Sequence, residues 1–271
     1  MDDAAPLRIM LVTDAWEPQV NGVVRTLSRT VEECREMGHE VEVIHPGLGY
    51  TQFPLPTYSE IKLAVGTRKD IEARFKAFEP EAIHIATEGT LGHVARGVCL
   101  RWKLPFTTSY HTKFPEYVNA RLPFIPVRAG YSFMRRFHNA GNGLMVATPS
   151  MRDHLSARGF NNITPWARGV DTEFFHPSKR GTDGGIYTDL EGPIFVYVGR
   201  VAVEKNLEAF LDLDLPGSKV IVGPGPQLEE LKKKYPKVLF TGAKSGEELV
   251  RHFADADVFV FPSFTDTFGL V

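Results

Sequence analysis

Short apolar runs rich in β-branched residues alternate with helix-period segments along this whole chain, and that alternation leaves few folds open. Candidate strands occupy residues 8–13, 41–45, 82–86, 106–111, 144–148 and 164–168. Helical patterns lie between them, such as 23–37, 67–78 and 91–102, and Gly38 follows the first as a C-terminal capping glycine does. Strands separated by helices pair in parallel, and a parallel sheet is covered on both faces. From 171 to 192 the periodicity is broken by Pro177, Gly181, Gly184, Gly185 and Gly192, which reads as an interdomain linker. A second βα series follows, with strands at 194–198, 219–222, 238–241 and 258–261 and helices at 227–234 and 246–254. The expected class is α/β: two Rossmann-like domains with parallel sheets, 1–170 and 193–271, joined by the linker 171–192. Only about four strands are readable in the second domain, which is therefore read as incomplete.

Composition narrows the function. A chain of 271 residues with 43% hydrophobic residues can bury one large core or two smaller ones. Its 31 basic and 33 acidic residues give a net charge of −2, so nothing draws it toward nucleic acid. Cys34 and Cys99 lack metal-ligand spacing and point to a reducing compartment. No apolar run reaches the length of a membrane span, and Met1-Asp2-Asp3 is acidic rather than signal-like. The expectation is a cytoplasmic protein with at most a peripheral contact at the inner face of the cell membrane.

Ligands of a doubly wound sheet bind outside the carboxyl ends of its strands, and several polar groups fall there. Gly199-Arg200 and Glu204-Lys205-Asn206 follow the strand 194–198 and precede a helix-like stretch, 206–213. Backbone N–H groups and a helix dipole favour an anion at such a turn, and an Arg fork beside a Lys charge suits a diphosphate. A solvated loop would carry the same two cations. Asn21-Gly22 is a turn signal directly before a helix; Gly22 either brings N–H groups against a phosphate or is a plain loop glycine. The dinucleotide fingerprint Gly-x-Gly-x-x-Gly is absent there, which argues against a nicotinamide or flavin enzyme.

In Tyr110-His111-Thr112 the strand-end His111 either contacts a sugar hydroxyl or is structural. Gly225, in Gly223-Pro224-Gly225-Pro226, either admits a ligand or serves an ordinary turn. Asp255-Ala256-Asp257 resembles a metal-binding pair, but it sits between a helix and a buried strand and reads as a structural turn; no metal is expected. Residues 121–136 interleave Arg121, Arg128, Arg135 and Arg136 with Phe124, Ile125, Tyr131, Phe133 and Met134. That pattern fits an anionic membrane surface or a helix packed on its own sheet.

Assembled in order, these segments resemble the retaining glycosyltransferases of family 4, which have the GT-B fold. The markers run from Asp14-Ala15-Trp16-Glu17-Pro18-Gln19-Val20-Asn21-Gly22 through Tyr110-His111-Thr112, Thr148-Pro149-Ser150 and Arg168-Gly169-Val170-Asp171. They continue with Gly199-Arg200, Glu204-Lys205-Asn206 and Pro262-Ser263-Phe264-Thr265-Asp266-Thr267-Phe268-Gly269-Leu270-Val271. The subgroup most resembled contains GDP-mannose-dependent α-mannosyltransferases and lipid-directed sulfoquinovosyl- and glucosyltransferases. The resemblance implies that Gly22, Arg200 and Lys205 hold a donor diphosphate, that His111 lies beside the donor sugar, and that Asp266 binds its hydroxyls. Gly269 and Leu270 would supply backbone N–H groups, and Asn21 and Tyr110 would lie on the acceptor side. His111, Asp266, Arg200 and Lys205 form the implied catalytic set.

The family's terminal motif has two glutamates. Asp266 stands at the first, and the second would fall three positions beyond Val271. The resemblance further implies a metal-independent enzyme with no cofactor. Its co-substrate would be GDP-mannose or a UDP-sugar, and its acceptor a lipid or glycan. A chain ending at Val271 would be an inactive fragment or a nucleotide-sugar-binding module.

Overall fold

A computed structural model describes residues 5–264, except 20, 56, 57, 123, 168, 183 and 184 and the side chains of 55, 58–62, 120 and 121. The chain divides into two compact units between Ala167 and Arg168.

In the first unit a six-stranded parallel sheet has the order β2-β1-β5-β6-β7-β8. Its strands are β1 (Arg8–Val12), β2 (Glu40–Ile44), β5 (Ala82–Ile85), β6 (Thr107–Ser109), β7 (Gly143–Val146) and β8 (Ile163–Pro165). Helices α1 (Gly22–Glu36), α2 (Arg68–Phe78), α3 (Thr90–Trp102), α5 (Val127–His138) and α6 (Pro149–Ser156) connect or flank them. Strand β1 shows why the sheet is covered on both sides. Met10 and Val12 join one core with Ile71, Phe75, Leu91 and Val98 of α2 and α3, while Leu11 joins another with Leu27 and Val31 of α1. Successive residues of a strand face opposite ways, so a one-residue slip would exchange the two cores. Thr67 caps α2 by accepting from the Asp70 N–H, and Thr148 caps α6 by accepting from Met151.

In the second unit β9 (Ile194–Val198), β10 (Ser218–Val222), β11 (Leu239–Gly242) and β12 (Val258–Phe259) form a parallel sheet of order β11-β10-β9-β12. Helices α7 (Glu208–Leu211), α8 (Leu228–Lys234) and α9 (Gly246–Ala254) accompany it. Ile194, Val196 and Val198 pack with Leu249 on one face, and Tyr197 packs with Phe210, Ile221 and Leu231 on the other.

Four stretches take a form that the sequence left open or did not reveal. The stretch around residues 53–60, which no sequence signal assigns, contributes to an antiparallel hairpin of β3 (Thr51–Leu55) and β4 (Tyr58–Val65). Residues 51–54 are exposed, so they carry no apolar stripe to reveal a strand. The stretch 114–124 contains a helix, α4 (Phe114–Arg121), with Pro115 in its first turn, where the missing N–H costs nothing. The Arg- and aromatic-rich segment contributes α5, which buries Tyr131, Met134 and Phe137 and leaves Arg128, Arg135 and Arg136 outward, so it packs on its own sheet.

The segment read as a linker, 171–192, folds onto the second unit instead. Tyr187 is 3% exposed in its core, and the buried Asp255 carboxylate accepts from the N–H groups of Gly181 (2.6 Å) and Ile186 (3.0 Å). Gly181 and Gly185 stand where the backbone turns beneath Asp255. A Cβ on Gly185 would stand 2.2 Å from the Asp255 carboxyl carbon. Asp257 pairs with Arg180 at 2.6 Å and accepts from the Ile194 N–H, which together hold its pKa below the usual carboxylate range. The acidic pair is thus a structural turn.

Removing a buried acceptor strands its donors, each at about 1–3 kcal/mol. Asp255→Ala is expected to lower unfolding free energy by about 2–4 kcal/mol in urea titrations and to open the chain after Lys179 and Arg180 to trypsin. A variant as protease-resistant as the wild type would show that the segment is held elsewhere.

Candidate functional site

Each sheet reverses its strand order once, between β1 and β5 in the first unit and between β9 and β12 in the second. The loops leaving the carboxyl ends of those strand pairs part to opposite faces and open a crevice.

At the first reversal stands Asp14, directly after β1 and 5% exposed. Its carboxylate accepts from the Leu91 N–H (2.9 Å), the Gly92 N–H (3.2 Å) and the Thr87 hydroxyl (3.0 Å), while its own N–H donates to that hydroxyl (2.7 Å). Burial raises its pKa above the ordinary carboxyl value against the pull of those donors. Gly89 and Gly92 are glycines on account of this clamp: a Cβ on Gly89 would lie 2.3 Å from the Asp14 carboxyl carbon, and one on Gly92 would lie 2.0 Å from the Thr87 carbonyl oxygen. Asp14 is a joint between β1 and α3. It was visible in the sequence only as a marker, because partners more than 70 residues away leave no local pattern.

Asn21 and Gly22 open α1. The Asn21 side chain accepts from Val23 and Val24 N–H groups, both at 3.0 Å, so it is a helix cap and its polar atom is committed. With those two donors taken and the Arg25 N–H closed on the Asn21 carbonyl, Gly22 supplies the remaining N–H of the first turn. Gly22 is exposed, and a Cβ there would meet nothing within 4 Å.

Strand β6 separates the two neighbours Tyr110 and His111. Tyr110 is 1% exposed among Tyr131, Met134 and Leu144, and desolvation drives its phenol pKa far up. Expected on the acceptor side, it is a core residue, because its place in the alternation faces α5. His111 is half-buried at the strand's carboxyl end, its Nε2 2.7 Å from the Ser109 hydroxyl and its ring 5.7 Å from that of Trp166.

The second reversal carries the cations. Arg200 and Lys205 stand on the turn after β9, and this turn is tied to the segment after β12. Asn206 donates to the Pro262 carbonyl (3.3 Å), Ser263 donates to the Glu204 carbonyl (3.3 Å), and Lys205 Nζ lies 5.8 Å over the Phe261 ring. Glu204, its side chain 7% exposed, sits 3.7 Å from the Arg200 guanidinium. Within the helix-like stretch 206–213 only the one-turn α7 is helical, and a 3-10 turn, Val203–Lys205, precedes it. A four-residue helix brings little dipole, so positive potential at this turn comes from Arg200 and Lys205 themselves.

The turn is braced from β10. Gly199 adopts φ +147°, and a Cβ on Gly223 or Gly225 would fall 1.9 Å from the Gly199 carbonyl oxygen or 2.0 Å from that of Val201. Gly225 is therefore a glycine for packing between two loops. Asp266, Gly269 and Leu270 lie outside the described residues. Among the described residues, no group of three or more His, Cys, Asp or Glu side chains is placed to hold a metal ion, and no helix is long and apolar enough to cross a membrane.

Comparison with known proteins places these features in a family. The family model described as Glycosyltransferase Family 4 matches residues 20–174, and that described as Glycosyl transferases group 1 matches 192–271. A GDP-mannose-dependent alpha-mannosyltransferase of Corynebacterium glutamicum is 31% identical over 288 residues, covering 99% of this chain and 70% of that protein. The sulfoquinovosyl transferase SQD2 of Arabidopsis thaliana is 31% identical over 93% of this chain and 54% of its own length. An alpha-monoglucosyldiacylglycerol synthase of Streptococcus pneumoniae is 25% identical over 97% of this chain and 68% of that protein. Among solved structures, the sucrose-phosphate synthase of Thermosynechococcus elongatus superposes with a TM-score of 0.71 at 17% identity, covering 97% of this chain and 77% of that one. Its likeness shows the fold.

His84 of β5 is buried against Ser109 and Thr107, and burial, aided by the charge of His138, lowers its pKa from 6.5 to about 4. Between those values the unfolded chain binds the proton that the folded chain refuses, so acid favours unfolding. Stability is expected to fall by on the order of 3 kcal/mol through this group as pH drops from 7 to 4. His84→Gln should flatten the urea-measured pH profile by that share; an unchanged slope would show His84 titrating normally.

Proposed function

The chain belongs to glycosyltransferase family 4 and is a hexosyltransferase of that family, and we propose that it moves mannose from GDP-mannose to a lipid or glycan acceptor with retention and without a metal. The observation that carries the donor assignment is the Arg200–Lys205 pair on the turn after β9, at the reversal of the second sheet. Breaking the bond between the anomeric carbon and the phosphate oxygen leaves the electron pair on the diphosphate. A guanidinium and an ammonium on a braced turn stabilise that growing charge without reorganising. The acceptor hydroxyl then bonds to the same face of the anomeric carbon while its proton passes to the leaving phosphate oxygen. His111 faces the donor sugar, Gly22 offers its N–H to the diphosphate, and Asp266, Gly269 and Leu270 complete the donor site.

The alternative donor is a UDP-sugar carrying glucose or sulfoquinovose, with a diacylglycerol-type acceptor; the names of two relatives favour it. For the acceptor we propose a peripheral contact with anionic membrane through the outward face of α5, where Arg128, Arg135 and Arg136 accompany Phe124 (77% exposed) and Phe133 (52% exposed).

Calorimetric titration with GDP, UDP, GDP-mannose and UDP-glucose separates the donors: selective binding of guanine nucleotides supports the proposal, and selective binding of uracil nucleotides supports the alternative. Arg200→Ala is expected to weaken the preferred donor about ten- to a hundredfold, as loss of a charge-assisted hydrogen bond of roughly 1.5–3 kcal/mol requires. Gly22→Ala makes a sharper test. Nothing in the fold resists the methyl, and trading Gly for Ala in a helix stabilises by about 0.4–1 kcal/mol, so unfolding should be unchanged or harder while donor binding weakens. Equal affinity in both variants would remove the donor site from these residues. Arg128→Glu with Phe124→Ser should reduce sedimentation with anionic vesicles, and equal sedimentation would remove the membrane contact.

A further inference from the structure

One polar chain in the first unit has no part in the reading above except at its end. Thr107, Ser109 and His111 share one face of β6, and the pairing of β5 with β6 sets His84 opposite Thr107. His84 Nδ1 lies 2.8 Å from the Thr107 hydroxyl, and its Nε2 lies 3.1 Å from Ser109 Oγ. Ser109 Oγ in turn lies 2.7 Å from His111 Nε2 and 3.2 Å from the Ala86 carbonyl oxygen. Trp166 closes the side, its ring edge-on to both imidazoles at 5.8 and 5.7 Å. Ser109 is 1% exposed, so its bonds are made within the protein.

Valence settles the direction of the chain. A serine hydroxyl has one proton and two lone pairs. The Ala86 carbonyl can only accept, so it takes the Ser109 proton. Both lone pairs then face imidazole nitrogens, and each must present an N–H. His84, neutral in this burial, has its proton on Nε2 and accepts the Thr107 hydroxyl at Nδ1. His111 likewise presents an N–H at Nε2.

We propose that Ser109, backed by His84, is a positioning residue that fixes the ring and tautomer of His111, making Nδ1 its hydrogen-bond acceptor. A ring so held meets a hexose hydroxyl as an acceptor, with no rotamer left to choose. The proposal rests on the reading of His111 as the donor-sugar residue for its use, though not for its geometry.

Long-range proton–nitrogen NMR on the histidine-labelled chain, with His111 assigned by a His111→Gln spectrum, tests it without any ligand. His111 is expected to show a protonated Nε2 with a slowly exchanging proton, and an unprotonated Nδ1. In Ser109→Ala the Nε2 proton signal should be lost to exchange in a chain whose backbone amide spectrum still shows it folded; Ser109→Thr, which keeps the hydroxyl, should restore it. In an enzyme containing this chain, Ser109→Ala should lower kcat about tenfold with KM little changed. A protonated Nδ1 in the wild type, or a Ser109→Ala signal identical to the wild type, overturns the proposal. If the NMR result holds and His111→Gln turns over normally, the relay stands and the sugar-contact role of His111 falls.

Discussion

The two larger sheets of this protein are parallel and covered on both faces, and that single constraint decides where its chemistry can stand. Strands such as Met10–Leu11–Val12 and Val196–Tyr197–Val198 hand alternate side chains to two different cores, so none of their length is available to a polar ligand. Polar side chains and open N–H groups are forced to the carboxyl ends, where loops part at the strand-order reversals. Asp14, His111 and Gly22 gather on the strand-end loops of one unit, and Arg200, Glu204 and Lys205 gather at the reversal of the other.

The two units hold these ends rigid by different means. The first uses buried hydrogen bonds: the Asp14 carboxylate ties β1 to the start of α3, and the Ser109 hydroxyl ties β5 and β6 to His111. In the second, backbone contact between loops does the same. Gly223 and Gly225 let the β10 turn lie against the Gly199 and Val201 carbonyls, and the Val201 N–H donates to Pro224 at 2.8 Å. A buried ionisable joint makes stability depend on pH, whereas a glycine contact makes it depend on volume. Burial raises the Asp14 pKa, so acid does not loosen that joint; the acid sensitivity of the first unit comes from His84, whose pKa burial lowers, and glycine contacts restrict volume in both units.

Most of the architecture was legible because it rests on local periodicity. Every predicted strand of both sheets lies on an observed one, and helix 246–254 coincides with α9. What escaped had no such signal. The β3–β4 hairpin pairs only with itself, and residues 51–54 are exposed, so no apolar stripe marks it. The segment 171–192 looked like a linker because Gly181 and Gly185 serve contacts with Asp255, about seventy residues away, rather than any repeat along the chain. Tyr110 was misplaced for the opposite reason. The strand was recognised, but which of two adjacent residues faces the core depends on where a neighbour, α5, packs, and the sequence left that open. Asp14, Ser109 and His84 could have been singled out only by knowing which strand ends lie side by side.

The glycines at the strand ends separate what the chain needs for itself from what it needs for something else. Gly89 and Gly92 make room for Asp14 and Thr87, Gly185 for Asp255, and Gly223 and Gly225 for neighbouring carbonyls. Substitution at any of them collides with the protein's own atoms. Gly22 differs on every count: its φ lies outside the left-handed region, a Cβ would meet open space, and as a helical residue it costs about 0.5–1 kcal/mol relative to alanine. No internal contact accounts for it. It stands at the first N–H of a helix, beside the reversal of a parallel sheet, a position that favours an anion. Gly169 and Gly192 share the open space but not the helix terminus, so the proposed phosphate contact at Gly22 rests on its position rather than on its freedom alone.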